Sequence, residues 1–191
     1  MPPCFGVGQV FLEVYQLALG LIYYVTLRNV LYTHKLETAM TKSLQARALC
    51  PYLTIAGAND AIEFYVEVFG ATLDFKLVDP SDQQRIGHAE LLFGETRVFI
   101  SDEYPDFGAL SPNTLGGSPV KLHLDVDDAD AFVAHAVDQG ATLLRAVKLE
   151  FHGSRTGMIA DPFGYSWFIG SQAEEVSPQE MQRRWDEGLA D

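Results

Sequence analysis

The sequence predicts an α+β fold of two β-α-β-β-β modules forming a cupped mixed sheet around a cavity. Three observations predict it. The tetrapeptide Gly-Ala-Thr-Leu occurs twice, at Gly70–Leu73 and at Gly140–Leu143. Each copy follows a helix-like stretch, Asn59–Phe69 in the first case and Asp128–Gln139 in the second. Each helix-like stretch is preceded by a short alternating segment, Tyr52–Ile55 and Val120–Val126. Matching flanks around a repeated motif mark one supersecondary unit used twice, and two such units can build a site between them.

In the first module Tyr52–Ile55 is the opening strand. Ala56-Gly-Ala is a turn, and Asn59 is a suitable N-cap for a helix running from Asp60 to Phe69. Ile62, Tyr65, Val66 and Phe69 recur at helical spacing, and Gly70 is a natural stop. Three strands follow, at Thr72–Val78, Arg85–Phe93 and Thr96–Ser101, separated by turns at Pro80–Gln83 and Phe93–Glu95. A proline- and glycine-rich linker, 103–118, joins the modules and is long enough to cover a cleft.

The second module repeats the order. A strand over Val120–Val126 leads to a helix capped by Asp127 or Asp128 and stopped at Gly140. Strands follow at Thr142–Leu149, Gly157–Ala160 and Tyr165–Ile169, with Asp161-Pro-Phe-Gly164 as a tight turn. Ser177-Pro-Gln-Glu180 opens a last helix with the pattern of a capping box. The expected organisation is an N-terminal extension (1–47), a domain (48–173) made of modules 48–102 and 119–173, and a C-terminal helix (174–191).

Composition narrows the function. The chain has 191 residues, 48% of them hydrophobic, which suits a packed core, and its 26 acidic and 13 basic residues give a formal charge of −13. That field opposes binding to nucleic acid and to anionic membrane, so neither is an expected partner. Cys4 and Cys50 provide no disulfide framework, and a cytoplasmic location is expected. Phe5–Leu27 is almost wholly apolar, but Glu13 would lie mid-span in a bilayer and no basic residues precede it. The extension is read as a product of start-codon choice upstream of Met40, with a weak membrane anchor or an accessory helix as other readings. No stable membrane association is expected.

Two further groups of residues carry a resemblance. Phe64-Tyr65, Phe69-Gly70-Ala71 and Asp161-Pro-Phe-Gly164 resemble motifs of the vicinal oxygen chelate superfamily, which includes glyoxalase I, bleomycin-resistance proteins and extradiol dioxygenases. Gly87-His-Ala-Glu90, Ser101-Asp-Glu103, Leu115–Pro119, His123–Val126, Gly153–Gly157 and Glu175–Met181 are similar to its PhnB-like branch. The resemblance covers residues 48–185. It implies a glyoxalase/bleomycin-resistance-like fold, a small-molecule ligand and a homodimer. It also implies four metal-ligand positions, which fall at Cys50, Lys121, Phe168 and either Val98 or Phe99. An ammonium and phenyl rings cannot hold a cation, so the usual metal site is expected to be absent.

Strand alternation assigns the residues left facing the cavity. Val120, Leu122, Leu124 and Val126 would pack under the helices, leaving Lys121, His123 and Asp125 on the other face. His88 and Glu90 share a face, as do Cys50, Tyr52 and Thr54, and Ser166 and Phe168. The expected lining is Tyr52, His88, Glu90, Lys121, His123 and Phe168. His88, Glu90 and His123 are the candidate catalytic residues, as a general base or as an atypical divalent-metal site, provided they converge. Tyr52, Lys121, Arg155 and Phe168 are the candidate ligand-binding residues, Arg155 as a clamp for an anionic group. The simpler readings are a His88–Glu90 hydrogen-bonded pair, His123 satisfied by Asp125, and Arg155 in solvent or paired with Asp161. Trp167 is expected beneath the helices, Cys50 as a plain buried thiol, and His135 and His152 on the surface. The leading expectation is a binding protein for an aromatic or amphipathic molecule, and the alternative is a lyase or isomerase.

Overall fold

A computed structural model describes residues 46–188. The readings offered for the N-terminal extension lie almost wholly outside these residues. Among the described residues no helix is long and apolar enough to cross a membrane. By its contacts the chain divides after Leu49, and the unit beginning at Cys50 carries both modules.

The first module contains β1 (Tyr52–Ile55), α1 (Ala58–Glu67), β2 (Thr72–Val78), β3 (Ile86–Phe93) and β4 (Thr96–Asp102). A 3-10 turn at Pro105–Phe107 and the short helix α2 (Pro112–Leu115) lie in the linker. The second module contains β5 (Lys121–Asp125), α3 (Ala129–Asp138), β6 (Thr142–Leu149), β7 (Ser154–Ala160) and β8 (Ser166–Gln172), and α4 (Pro178–Gly188) follows. Each module forms its own four-stranded mixed sheet, in the orders β1-β4-β3-β2 and β5-β8-β7-β6. In both, the first and last strands are parallel and the remaining pairs antiparallel.

Helix periodicity sets which face is buried. Ala58, Ala61, Ile62 and Tyr65 line the inner face of α1, and Ala129, Val133 and Ala136 that of α3. Both pack on alternate strand residues such as Leu53, Ile55, Ala89, Ile100, Ile159 and Ile169, in one continuous core. Aromatic rings join the halves of that core. Phe69 meets Phe132 and Trp167 at centroid distances of 5.3 and 5.0 Å, and Phe93 stacks on Trp167 at 5.7 Å. Trp167 is thus beneath the helices. Leu122 and Leu124 reach the core, whereas Val120 precedes β5 and is exposed.

The helix starts are held differently. The first helix begins at Ala58, earlier than the Asn59 cap implied, and no side chain of its own caps it. Instead Asp102 Oδ1, at the end of β4, accepts from the backbone N–H groups of Gly57 and Ala58 at 3.0 and 2.9 Å. Asn59 accepts from Lys76 and donates to Glu63. Asp128 caps α3 by accepting from Ala131 N at 3.0 Å, and at the position matching Asp102 the hydroxyl of Ser171 accepts from Ala129 N at 3.2 Å. Ser177 accepts from Glu180 N at the start of α4, but the Glu180 side chain turns to Arg183 and Arg184, so the box is half formed.

Candidate functional site

Strand alternation turns Tyr52, Thr54, His88, Glu90, Phe99 and Ser101 to the face of the first sheet opposite α1. On this face lies an open pocket of about 700 Å³. Its floor is made by Tyr52, Thr54, His88 and Ser101, and its sides by Leu77, Val78 and Pro80 of the β2–β3 hairpin and by Tyr104, Phe107 and Ala109 of the linker. The linker therefore does more than connect modules: it walls the pocket.

That wall is fastened by polar contacts. Tyr104 donates its hydroxyl to Asp79 Oδ2 at 2.9 Å, and the Arg85 guanidinium lies 4.7 Å from the Tyr104 ring centroid. Asp79 also accepts from the backbone and side chain of Ser81, while Asp82 accepts from the backbone of Gln84 and Arg85 and pairs with the Arg85 side chain. The Ser81 hydroxyl and backbone hydrogen bonds hold the Asp79 carboxyl below its ordinary value. The Gln84 and Arg85 N–H groups lower that of Asp82 to about 2.

Within the floor, three side chains form a chain of contacts. Tyr52 Oη is 3.1 Å from His88 Nδ1, and His88 Nε2 is 3.4 Å from Glu90 Oε1. Arg97 Nη1 lies 2.8 Å from Glu90 Oε2, an ion contact without the alignment of a hydrogen bond, and Asp74 stands 3.6 Å behind the guanidinium. Phe75 and Phe99 flank the imidazole at 5.8 and 5.3 Å. Tyr52 is half exposed, whereas the Glu90 side chain retains 13% exposure. The order therefore runs from the pocket inward.

The remaining candidates stand elsewhere. Lys121, His123 and Phe168 belong to the second sheet, where His123 pairs with Phe168 across the strands and contacts Asp125 at 3.0 Å. His123 lines a smaller hollow with Pro51, Phe93, Leu122 and Trp167, which His88 does not reach. Within one chain, then, the expected mixed lining falls on two sheets, Tyr52, His88 and Glu90 on the first and Lys121, His123 and Phe168 on the second. The physical reason is that each module closes its own sheet and keeps its own open face. Among the described residues no group of three or more His, Cys, Asp or Glu side chains is placed to hold a metal ion. In cross-strand register Phe99 faces Tyr52 as Phe168 faces His123, so the last-strand position on each open face is a phenyl ring. This donor set does not fit a divalent cation.

Arg155 is not a clamp over the cavity. Strand β7 starts at Ser154, earlier than Gly157, and places Arg155 toward α3, where its guanidinium donates to both oxygens of Asp130 at 2.7 and 2.9 Å. Its partner is Asp130 rather than Asp161. Arg145 instead stands over Phe168, 5.7 Å from the ring centroid. Cys50 is a half-buried free thiol.

One polar residue central to the structure lay hidden in a turn motif. Asp161 is 4% exposed. Its Oδ2 accepts from Tyr65 Oη of the first module at 2.7 Å and from Trp167 Nε1 of the second at 2.8 Å, while Oδ1 accepts from the N–H groups of Phe163 and Tyr165. Burial raises its carboxyl above the ordinary value against the pull of these donors, and burial beside that carboxyl raises the Tyr65 phenol well above its own. The Tyr165 hydroxyl reaches back to the backbone N–H and C=O of Thr54, both at 3.1 Å.

Comparison with known proteins agrees with this architecture. The family model of the glyoxalase/bleomycin resistance protein/dioxygenase superfamily matches residues 52–169. The chain belongs to that superfamily. It is 36% identical over 138 residues to an uncharacterised protein of Mycobacterium bovis, covering 71% of this chain and 90% of that one. A protein of known structure from Pseudomonas aeruginosa superposes with a TM-score of 0.55 at 23% identity, over 68% of this chain and all of the other. A PhnB protein from Bacillus cereus superposes with a TM-score of 0.52 at 15% identity, over 65% and 99%. These two structures share the fold.

Proposed function

We propose that this protein is a PhnB-like small-molecule-binding protein that takes an aromatic or amphipathic ligand in the pocket of its first module, without the metal usual in the superfamily. The pocket itself carries the reading: about 700 Å³ bounded by Tyr52, Leu77, Val78, Tyr104 and Phe107, with His88 as a placed polar group. Apolar walls with few convergent polar atoms suit an organic ligand of modest size. Phenyl rings at Phe99 and Phe168 support independence from metal. Homodimer formation is part of the proposal. The open edges of both sheets favour it. A cytoplasmic location fits the free thiol of Cys50. The enzyme reading, a lyase or isomerase at His88, Glu90 and His123, has two of its residues in contact here and the third in the other sheet.

The test is a thermal-shift screen of aromatic compounds, run beside Leu77→Asp. Residue 77 is more than half exposed, so the substitution places a charge on the pocket wall without disturbing the core. Ligands that raise the melting temperature of the parent protein should fail to do so for the variant. Equal stabilisation of both proteins would move the site elsewhere. Near-stoichiometric zinc, nickel or manganese in protein purified without chelator would overturn the metal-independent reading.

A further inference from the structure

We infer that Tyr52, His88 and Glu90 form a proton relay that ionises the bound ligand, and that the ligand class is a ring bearing a weakly acidic hydroxyl, phenolic or enolic. The inference rests on the pocket reading above and goes beyond it, from occupancy to chemistry. Glu90, beside Arg97, is a carboxylate and can only accept, so the imidazole hydrogen belongs on His88 Nε2, 3.4 Å away. Nδ1 is then bare and accepts from the Tyr52 hydroxyl at 3.1 Å. With its own hydrogen turned inward, Tyr52 presents oxygen lone pairs to the pocket, and a lone pair there selects a ligand that donates.

The transfer balances. The ligand O–H bond breaks and its proton goes to Tyr52 Oη, while the Tyr52 hydroxyl proton passes to His88 Nδ1. The products are a ligand oxyanion, a neutral tyrosine and an imidazolium hydrogen-bonded to Glu90. The aromatic and charged groups around the imidazole come from all four strands, and Leu77 is its apolar cross-strand partner. Tyr52 comes from β1, Phe75 from β2 and Phe99 from β4; Glu90 is on the same strand, and Arg97 and Asp74 lie behind Glu90. Because Arg97 already offsets Glu90, the new positive charge on His88 faces the new negative charge on the ligand. The three flanking rings keep the imidazole in register with both partners, so the separation of 3.4 Å can tighten on binding without a change of rotamer.

The probes are 4-nitrophenol, whose anion is read by its absorbance, and its methyl ether 4-nitroanisole, which cannot ionise. Binding of each is titrated between pH 5 and 9 to the parent protein and to Tyr52→Phe and His88→Gln. The expected result is that bound nitrophenol ionises about one pH unit or more below its value in solution, roughly tenfold in the equilibrium. In both variants the shift disappears, and the preference for the phenol over the ether falls to near unity. Binding of both compounds with no shift in the parent protein would overturn the relay and leave the pocket reading standing. Persistence of the shift in the variants would also overturn it, since another group would then hold the proton. Failure of the parent protein to bind either compound would remove the pocket reading and the relay together.

Discussion

In the first module β2 and β3 are joined through Asp79–Arg85; in the second, β6 and β7 are joined through the shorter Glu150–Gly153. The longer connection stands up beside the open face of its sheet, meets the linker at Tyr104 and encloses a pocket. The shorter one folds back instead. Gly153, at φ +89°, lies so close to Glu174 that a Cβ there would come within 2.5 Å of a backbone oxygen. In cross-strand register Tyr52 corresponds to His123, Phe99 to Phe168 and Glu90 to Met158. The two modules share the frame and the aromatic position on the last strand, while a loop, a linker and several side chains, Tyr52 against His123 and Glu90 against Met158 among them, distinguish the two open faces. In this chain the site therefore follows from what is built beside a sheet, more than from the sheet.

Removing what the modules hold in common should weaken the protein most. Asp161→Ala strands the Tyr65 hydroxyl and the Trp167 N–H in the core and should cost about 3–5 kcal/mol in urea unfolding. A loss below about 1 kcal/mol would mean that the aromatic rings and the Tyr165–Thr54 contacts suffice to join the halves. Next is the pair at the strand ends. Asp102→Ala frees the N–H groups of Gly57, Ala58 and Ile86 and should cost about 2–3 kcal/mol, against about 1 kcal/mol for Ser171→Ala, which frees only Ala129. Equal costs would erase that contrast between the modules.

Smaller effects separate binding from structure. Arg155→Ala breaks an exposed pair with Asp130 and should change stability by no more than about 1 kcal/mol. Ligand affinity at the first-module pocket should be unchanged by calorimetric titration, because Arg155 lies on the helix side of the other sheet. The smallest effect concerns pH. Asp82 has a folded value near 2, below its ordinary 3.8, so its contribution is present above 3.8 and is lost as pH falls through about 2. Amide exchange at Gln84 and Arg85, corrected for the intrinsic rate, should accelerate across that window and should be fast at every pH in Asp82→Ala, which has no acceptor.

Much of the fold was legible because it is written in local pattern. Thr72–Val78 and Thr142–Leu149 have the expected bounds, Gly140 directly follows the cap of its helix while α1 ends at Glu67, two residues short of Phe69, and Tyr52 and His88 share a face as alternation requires. What was not legible depends on distance. Asp102 caps a helix 44 residues away, which no spacing rule anticipates. Asp161 looked fully explained by its own turn, so its second oxygen, reaching Tyr65 across 96 residues, had no signal. The placement of His123 apart from His88 follows from how two closed sheets pack, and alternation within a strand carries no information about that. Arg155 was misplaced for a local reason: the glycines at 153 and 157 read as a flexible loop, while the strand already begins at Ser154.

The carboxylate of Asp161 accepts from one ring of each repeat, and that has a consequence for how the duplicated unit comes apart. If the second repeat opens, the Tyr65 hydroxyl of the first loses its acceptor, and if the first opens, the buried Asp161 carboxylate loses a donor. Stability is therefore owned jointly, and heating or denaturant should melt the repeats in one cooperative step despite their separate sheets. Because Tyr65, Asp161 and Trp167 all lie in the core, the two open faces can differ without loosening that joint hold.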